Sequence, residues 1–225
     1  MDLLNRLTNY KFFKRSHDPI WQLQLAIGLI IVLQLLTSSD YLPYNKFIIV
    51  SFEVILMTVL AIVTSENYST ISKLRRFVAM TLIAIVAVIN IFSLVFLSYE
   101  LLAAPATAID VNEILRNGLT IYITNILMFA LWYWEMDGGG PDHRVAGSRQ
   151  SDFLFPQMIH KQTAAKDWMP GFVDYLYLSS TNVTNFASAD TLPMSHRAKL
   201  LMMLQALVSV VAVVLVAARA IGLLQ

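Results

Sequence analysis

The sequence reads as an all-α integral membrane protein, with five transmembrane helices and a re-entrant, pore-type hairpin ahead of the last. Three observations carry that reading. Of the 225 residues, 57% are hydrophobic and only 14% charged, with a mean hydropathy of +0.61, a balance suited to lipid rather than water. Five apolar segments approach the ~20 helical residues that a hydrocarbon core of about 30 Å requires. A sixth is too short to cross and runs straight into the polar, turn-rich stretch STNVTNFASADTLP.

The N-terminal MDLLNRLTNYKFFKRSHDP is basic, as the front of a secretory signal would be. The apolar run behind it ends in Leu-Leu-Thr-Ser-Ser-Asp with no small-x-small cleavage site, so 20–36 is expected to be a retained first span. Spans two to four are 47–63, 77–97 and 119–134. Between the third and fourth, TAIDVNEILRNG has Asp110 three residues before Glu113, apolar Ile109, Ile114 and Leu115, and an Asn-Gly stop. That pattern predicts a short helix lying on the outer surface. The last span, 198–224, is the longest, at about 40 Å if fully helical, and is expected to tilt or project. Tyr41, Tyr44, Tyr99, Trp132, Tyr133 and Trp134 fall near span ends, where amphipathic rings favour the headgroup layer. The organisation expected is a four-helix transmembrane domain over 1–134, a cytoplasmic linker over 135–171 containing a flexible GGGP, and a re-entrant loop with the final helix over 172–225.

Charge orients the set. Arg6, Lys11, Lys14 and Arg15 precede span one; Lys73, Arg75 and Arg76 lie between two and three; Arg144, Arg149, Lys161, Lys166, Arg197 and Lys199 lie between four and five. Only Lys46, Arg116 and Arg219 remain for the other side, which under the positive-inside rule puts the N-terminus in the cytoplasm and the C-terminus outside a multi-pass protein of the cell membrane. The net charge of +1 gives no footprint for a nucleic-acid partner. There are no cysteines, so disulfides, thiolate metal sites and cysteine nucleophiles are absent together. His17, His143, His160 and His196 are scattered without metal-binding spacing, and no phosphate loop or nucleophile motif appears. An enzyme, a cofactor and a metal are therefore not expected.

The short apolar segment is 172–183, entered through Pro170 and Gly171. Its length suits a helix that dips into a bilayer and returns. The hydroxyls, amides and carboxylate that follow would be costly in lipid, so they are expected to face protein, water or ions. Pro193 and Ser195 introduce the last helix. At these residues a resemblance can be named: 184–193 resembles the pore segment of the potassium-channel superfamily, where Thr-Val-Gly-Tyr-Gly is followed by Asp-x-x-Pro. Asp190 matches that aspartate, three residues before Pro193, and 185–189 fill the five filter positions. More broadly, ALWYWEMDGGGP, DFLFPQM and the run from DYLYLSSTNV onward resemble a group of small bacterial multi-helix membrane proteins, a likeness that brings no established activity.

The channel resemblance implies a pore loop and inner helix in a homo-oligomer, a tetramer if a channel, passing a small ion such as a cation, or a solute; the broader likeness implies a bacterial inner membrane. The pathway residues implied are Thr181, Thr184, Asn185, Phe186, Ala187, Ser188, Ala189 and Asp190. Ala187 and Ala189 stand where the family has glycines, whose backbone angles cost other residues about 1–2 kcal/mol each. A carbonyl filter selective for potassium is therefore not implied; the side chains of Thr184, Asn185, Ser188 and Asp190 would line a wider pore. With four spans before it, the loop enters from the cytoplasm, like the inverted pore of ionotropic glutamate receptors. The plainer reading is a polar interhelical turn with Asp190 and Ser195 as helix caps, in a non-conducting scaffold that binds partners through its cytoplasmic segment.

Glu53 lies about 10 Å into span two, an intramembrane ionisable group that is a functional candidate, a side chain that snorkels, or a structural partner of Arg116 or a backbone group. Asn90, Asn125 and Gln205 are expected to hydrogen-bond between helices, and Ala206, Ser209 and Ala212 to permit close helix approach.

Overall fold

The structure, a computed structural model, describes residues 21–36, 46–65, 72–103, 111–145, 147, 149–160, 162, 164–165, 168–185 and 190–222. It is mostly helical. Five apolar stretches form the main helices: α1 (Trp21–Leu36), α2 (Lys46–Ser65), α3 (Ser72–Ala103), α4 (Val111–Met136) and α8 (His196–Gly222). Two of these are long and apolar enough to cross a membrane, α3 over Leu74–Tyr99 and α8 over His196–Ala218, while α1 and α2 contribute the shorter apolar stretches Gln22–Leu36 and Val50–Val59.

α4 is the central helix. It packs on α1, α3 and α8 and on the short helix α7 (Phe172–Thr184), while α2 lies against α1 and α3. From 127 to 141 every residue except Trp132 is buried, the pattern of a helix covered on all sides rather than along one stripe. Phe129, Tyr133, Tyr175 and Phe153 fill the centre with Leu23, Ile27, Ile30, Leu82 and Ile83. The rings of Tyr133 and Phe153 meet edge to face at 5.2 Å, an arrangement the aromatic quadrupole favours.

The expected surface helix between spans three and four is not separate. α4 begins at Val111 and runs unbroken through Asn117 and Gly118; Ile109 and Asp110 lie outside the described residues. The Asn-Gly pair is not a stop because Gly118 is a contact point. A Cβ there would sit 2.7 Å from Val216 Cγ2 on α8, so glycine lets the two helices close on each other.

α4 ends in a one-turn 3₁₀ segment, Asp137–Gly139, followed by α5 (Pro141–Val145), β1 (Phe153–Leu154) and α6 (Pro156–Ile159). The glycines expected to be flexible are instead buried, with φ of 58°, 90° and 101° at Gly138, Gly139 and Gly140. Those angles are strained for any residue with a Cβ. Arg144 fastens the turn, donating from Nη1 to the carbonyls of Trp134 and Asp137. These are among the acceptors that a helix C-terminus leaves unsatisfied.

α7 opens with the Gly171 N–H donating to Asp174 Oδ2 at 2.8 Å, and its 13 residues rise about 20 Å. β2 (Leu192–Pro193) then pairs antiparallel with β1, Leu154 opposite Leu192 and Phe153 opposite Pro193. Ser195 caps α8 by accepting from the Ala198 N–H at 3.2 Å. Asp190, read as a second possible cap, stands ahead of β2 and caps neither α7 nor α8.

Candidate functional site

The described polar chemistry concentrates where α4 ends. Asp137 follows the last turn of α4 and is fully buried. A carboxylate at a helix C-terminus meets the negative end of the macrodipole, so it needs donors from elsewhere. Oδ1 accepts from Ser151 Oγ at 2.7 Å and from the N–H groups of Asp152 and Phe153; Oδ2 accepts from Ser151 Oγ at 2.9 Å and from the Tyr175 hydroxyl. The strand entry and the first turn of α7 are thereby fixed to one side chain.

Asp152 ties down the other helix. Its carboxylate accepts from the Gly138 N–H at 3.1 Å and from both Nε (2.7 Å) and Nη2 of Arg197 on α8, the bidentate geometry that makes Arg–carboxylate bonds strong. Its carbonyl accepts from the Met194 N–H at 2.8 Å. Burial pushes the Asp152 carboxyl up, but hydrogen bonds from Arg197 and Ser195, the Arg197 charge and the Gly138 N–H outweigh it and hold the group below the usual carboxylate range. The Arg144 guanidinium lies 5.1 Å above the Tyr175 ring and 5.9 Å above that of Trp134, adding cation–π contact to the same corner.

Because Tyr175 and Arg197 both meet this corner, α7 and α8 begin at the same end of α4. Further along, contacts keep the three helices in register. Ser179 Oγ donates to the Ile126 carbonyl (2.7 Å), and Asn182 Nδ2 donates to Gln205 Oε1 (2.8 Å) and the Met202 carbonyl (3.0 Å). Gln205 Nε2 donates to Ser179 Oγ at 2.6 Å, Tyr133 donates to Gln205 Oε1, and Asn125 Nδ2 donates to Ser209 Oγ at 2.7 Å. α7 therefore runs antiparallel to α4 and parallel to α8. Its last turns lie beside Met202 and Gln205, about 10–14 Å into α8, whose full length is about 40 Å. Asn125 and Gln205 make the interhelical bonds expected of them, and Asn90 Nδ2 reaches the Ile121 carbonyl at 3.5 Å.

The residues singled out in the sequence are distributed over three places. Thr181, Thr184 and Asn185 gather at the end of α7. The Thr181 hydroxyl donates to the Tyr177 and Leu178 carbonyls, Thr184 donates to the Ser180 carbonyl, and the Asn185 N–H closes the last turn on Thr181. Thr184 and Asn185 are exposed. Asp190 is also exposed but stands apart from them, beside β2, where its Oδ1 accepts from Thr191 Oγ1 at 3.3 Å. Phe186, Ala187, Ser188 and Ala189 lie outside the described residues. Glu53 is elsewhere, on α2, paired with Gln34 of α1 at 3.2 Å rather than with Arg116.

What the sequence reading missed is the corner itself. Asp137, Asp152, Tyr175 and Arg197 were countable as charges and rings but not as partners, although an acidic residue directly after an apolar run, followed by three glycines, marks a constrained helix end. The buried Arg75–Glu135 pair, 2.8 Å apart, was likewise visible only as charge. Among the described residues no cluster of three or more His, Cys, Asp or Glu could hold a metal. Chemically, the two carboxylates of the corner are fully engaged in an anchor, whereas the end of α7 presents hydroxyls, an amide and the negative pole of a helix, groups that favour a cation or water. Comparison with protein-family models, curated proteins and solved structures finds no match.

Proposed function

We propose that this chain is a five-span membrane protein, N-terminus cytoplasmic, whose α7 and following segment form a re-entrant hairpin lining a pathway for a small cation or solute in a homo-oligomer. One observation supports this above the rest: α7 and α8 start at the same end of α4, yet α7 stops less than halfway along α8. Asn185 therefore lies about 15 Å farther along α8 than Leu192, which pairs with β1. A short helix entering, a return, and a long helix leaving from the same end is the order of a pore loop and inner helix. Thr181, Thr184 and Asn185 then lie at the inner end of the loop and Asp190 at its mouth, with Phe186, Ala187, Ser188 and Ala189 between. A ring of Asp190 carboxylates, four in a tetramer, would concentrate cations there. The pathway needs no cofactor and no catalytic group.

A second reading, a non-conducting scaffold that binds partners through its cytoplasmic segment, is favoured by the folded corner around Asp137, which fixes Ser151, Asp152 and Phe153 against the end of α4. Cation flux in liposomes separates the two. Wild type is expected to conduct, and Asp190→Asn to conduct several-fold less at matched density of folded protein. Because Asp190 caps neither α7 nor α8, the change leaves the fold intact. Equal flux from both would remove Asp190 from the pathway, and no flux from either would leave the scaffold reading.

A further inference from the structure

Among the side chains of α2 whose exposure is described, Val50, Glu53, Leu56 and Met57 turn toward the bundle and the rest are exposed. Of those four, Glu53 alone is fully buried. A carboxyl group thus stands at the centre of a packing face where leucine would serve a purely structural purpose better. Its Oε1 accepts one hydrogen bond, from Gln34 Nε2 at 3.2 Å, and Oε2 has no hydrogen-bond partner. Among the described residues no cation is placed to balance it. The helices packed on α2 are α1 and α3. α1 carries no ionisable residue, and those of α3, Lys73, Arg75, Arg76, Tyr99 and Glu100, lie at its two ends. On α2 itself the other ionisable residue is Lys46 at the start.

A bare carboxylate in such a place needs a cation or several N–H donors, and the geometry supplies one neutral amide. One hydrogen on Oε2 completes it. We propose that Glu53, with Gln34, forms a proton-binding site inside the α1–α2 hairpin, Oε2 taking up and releasing the proton while Oε1 stays bonded to the amide. The site uses no residue of α7 or α8 and does not depend on the pore reading.

The test is carboxyl labelling of the full chain in liposomes, mapped by peptide mass. A protonated carboxyl adds across one C=N bond of dicyclohexylcarbodiimide: its oxygen bonds to the central carbon, its proton passes to nitrogen, and the adduct rearranges to an acylurea with no leaving group. Glu53 is expected to gain one reagent mass at neutral pH, with labelling falling about tenfold per pH unit on the alkaline side of its titration. A water-soluble carbodiimide should modify exposed carboxylates such as Asp190 and spare Glu53. Glu53→Gln, which keeps the shape and the Gln34 contact, should fold and lose the adduct; Gln34→Leu should shift the labelling profile along the pH axis. No adduct on Glu53 while exposed carboxylates react, labelling that ignores pH, or equal reaction with the soluble reagent would each overturn the site. A profile unmoved by Gln34→Leu would overturn the pairing. The readout needs no flux, so failure of the pore reading and failure of this site are separately visible.

Discussion

Asp152 is the residue through which acidity reaches the fold. Its carboxyl is held below the usual range while Arg197, whose side chain is 51% exposed, supplies the opposing charge. A carboxylate with a depressed folded value adds stability that is complete above its unfolded value, near 3.9, and is lost as pH falls through the folded one. Arg197→Ala removes that contribution and is expected to cost about 1.5–3 kcal/mol at neutral pH, the range for hydrogen bonds to a charged group. Solvent at the half-exposed guanidinium keeps the value toward the lower end. Thermal midpoints of wild type and variant in detergent should differ by a constant amount from about pH 8 to pH 5 and converge below about pH 4. A gap independent of pH would mean that Arg197 acts by packing alone. None of this was legible in the sequence, because Asp152 and Arg197 are 45 residues apart and nothing local marks them as a pair. Ser195, whose capping role depends only on its immediate neighbours, was legible and is found.

Helices behave in the same way at the scale of the element. Apolar runs long enough to form helices stand out in composition, so α1, α2, α3 and α8 appear where the sequence places them. The start of α4 does not. Asn117-Gly118 carries the local signature of a stop, and propensity is a weak prior that tertiary contact overrides; here the contact is Val216, which leaves no room for a Cβ at position 118. Gly118→Ala sets the two effects against each other. Alanine gains up to about 1 kcal/mol of helix propensity, while overpacking against a stiff β-branched side chain costs about 1–3 kcal/mol. A net loss in thermal stability is expected, and Val216→Ala in the same chain should recover most of it, a coupling of about 1 kcal/mol or more. Gly118→Ala as stable as wild type would show that α4 and α8 can part there at no cost.

For the whole molecule, hydropathy and packing give different counts. Among the described residues, only α3 and α8 are apolar enough over sufficient length to cross a membrane. α4 falls short on hydropathy, but the polar residues Asn117, Thr120, Thr124 and Asn125 that lower it are buried among neighbouring helices, so their polarity says nothing about whether α4 meets lipid. Meanwhile α2 and α8 turn Ile48, Phe52, Ile55, Leu200, Met203 and Leu207 outward, apolar surface that lipid or a neighbouring subunit would cover. Whether α7 crosses decides the topology, since a crossing there would return the end of α8 to the side it left. A helix of 13 residues spans about 20 Å against a core of about 30 Å, so α8 should be the one crossing between 148 and 225. The chain has no native cysteine, which makes single cysteines at Ser148 and Gln225 unambiguous reporters. With an impermeant thiol reagent on intact cells, the cysteine at Gln225 should label at once and that at Ser148 only after permeabilisation. Equal labelling of both would mean that α7 crosses and that no re-entrant hairpin exists. Reversed labelling would keep the hairpin but invert the molecule, placing the Asp137 corner outside the cell and turning thirteen of the sixteen basic residues outward against the positive-inside rule.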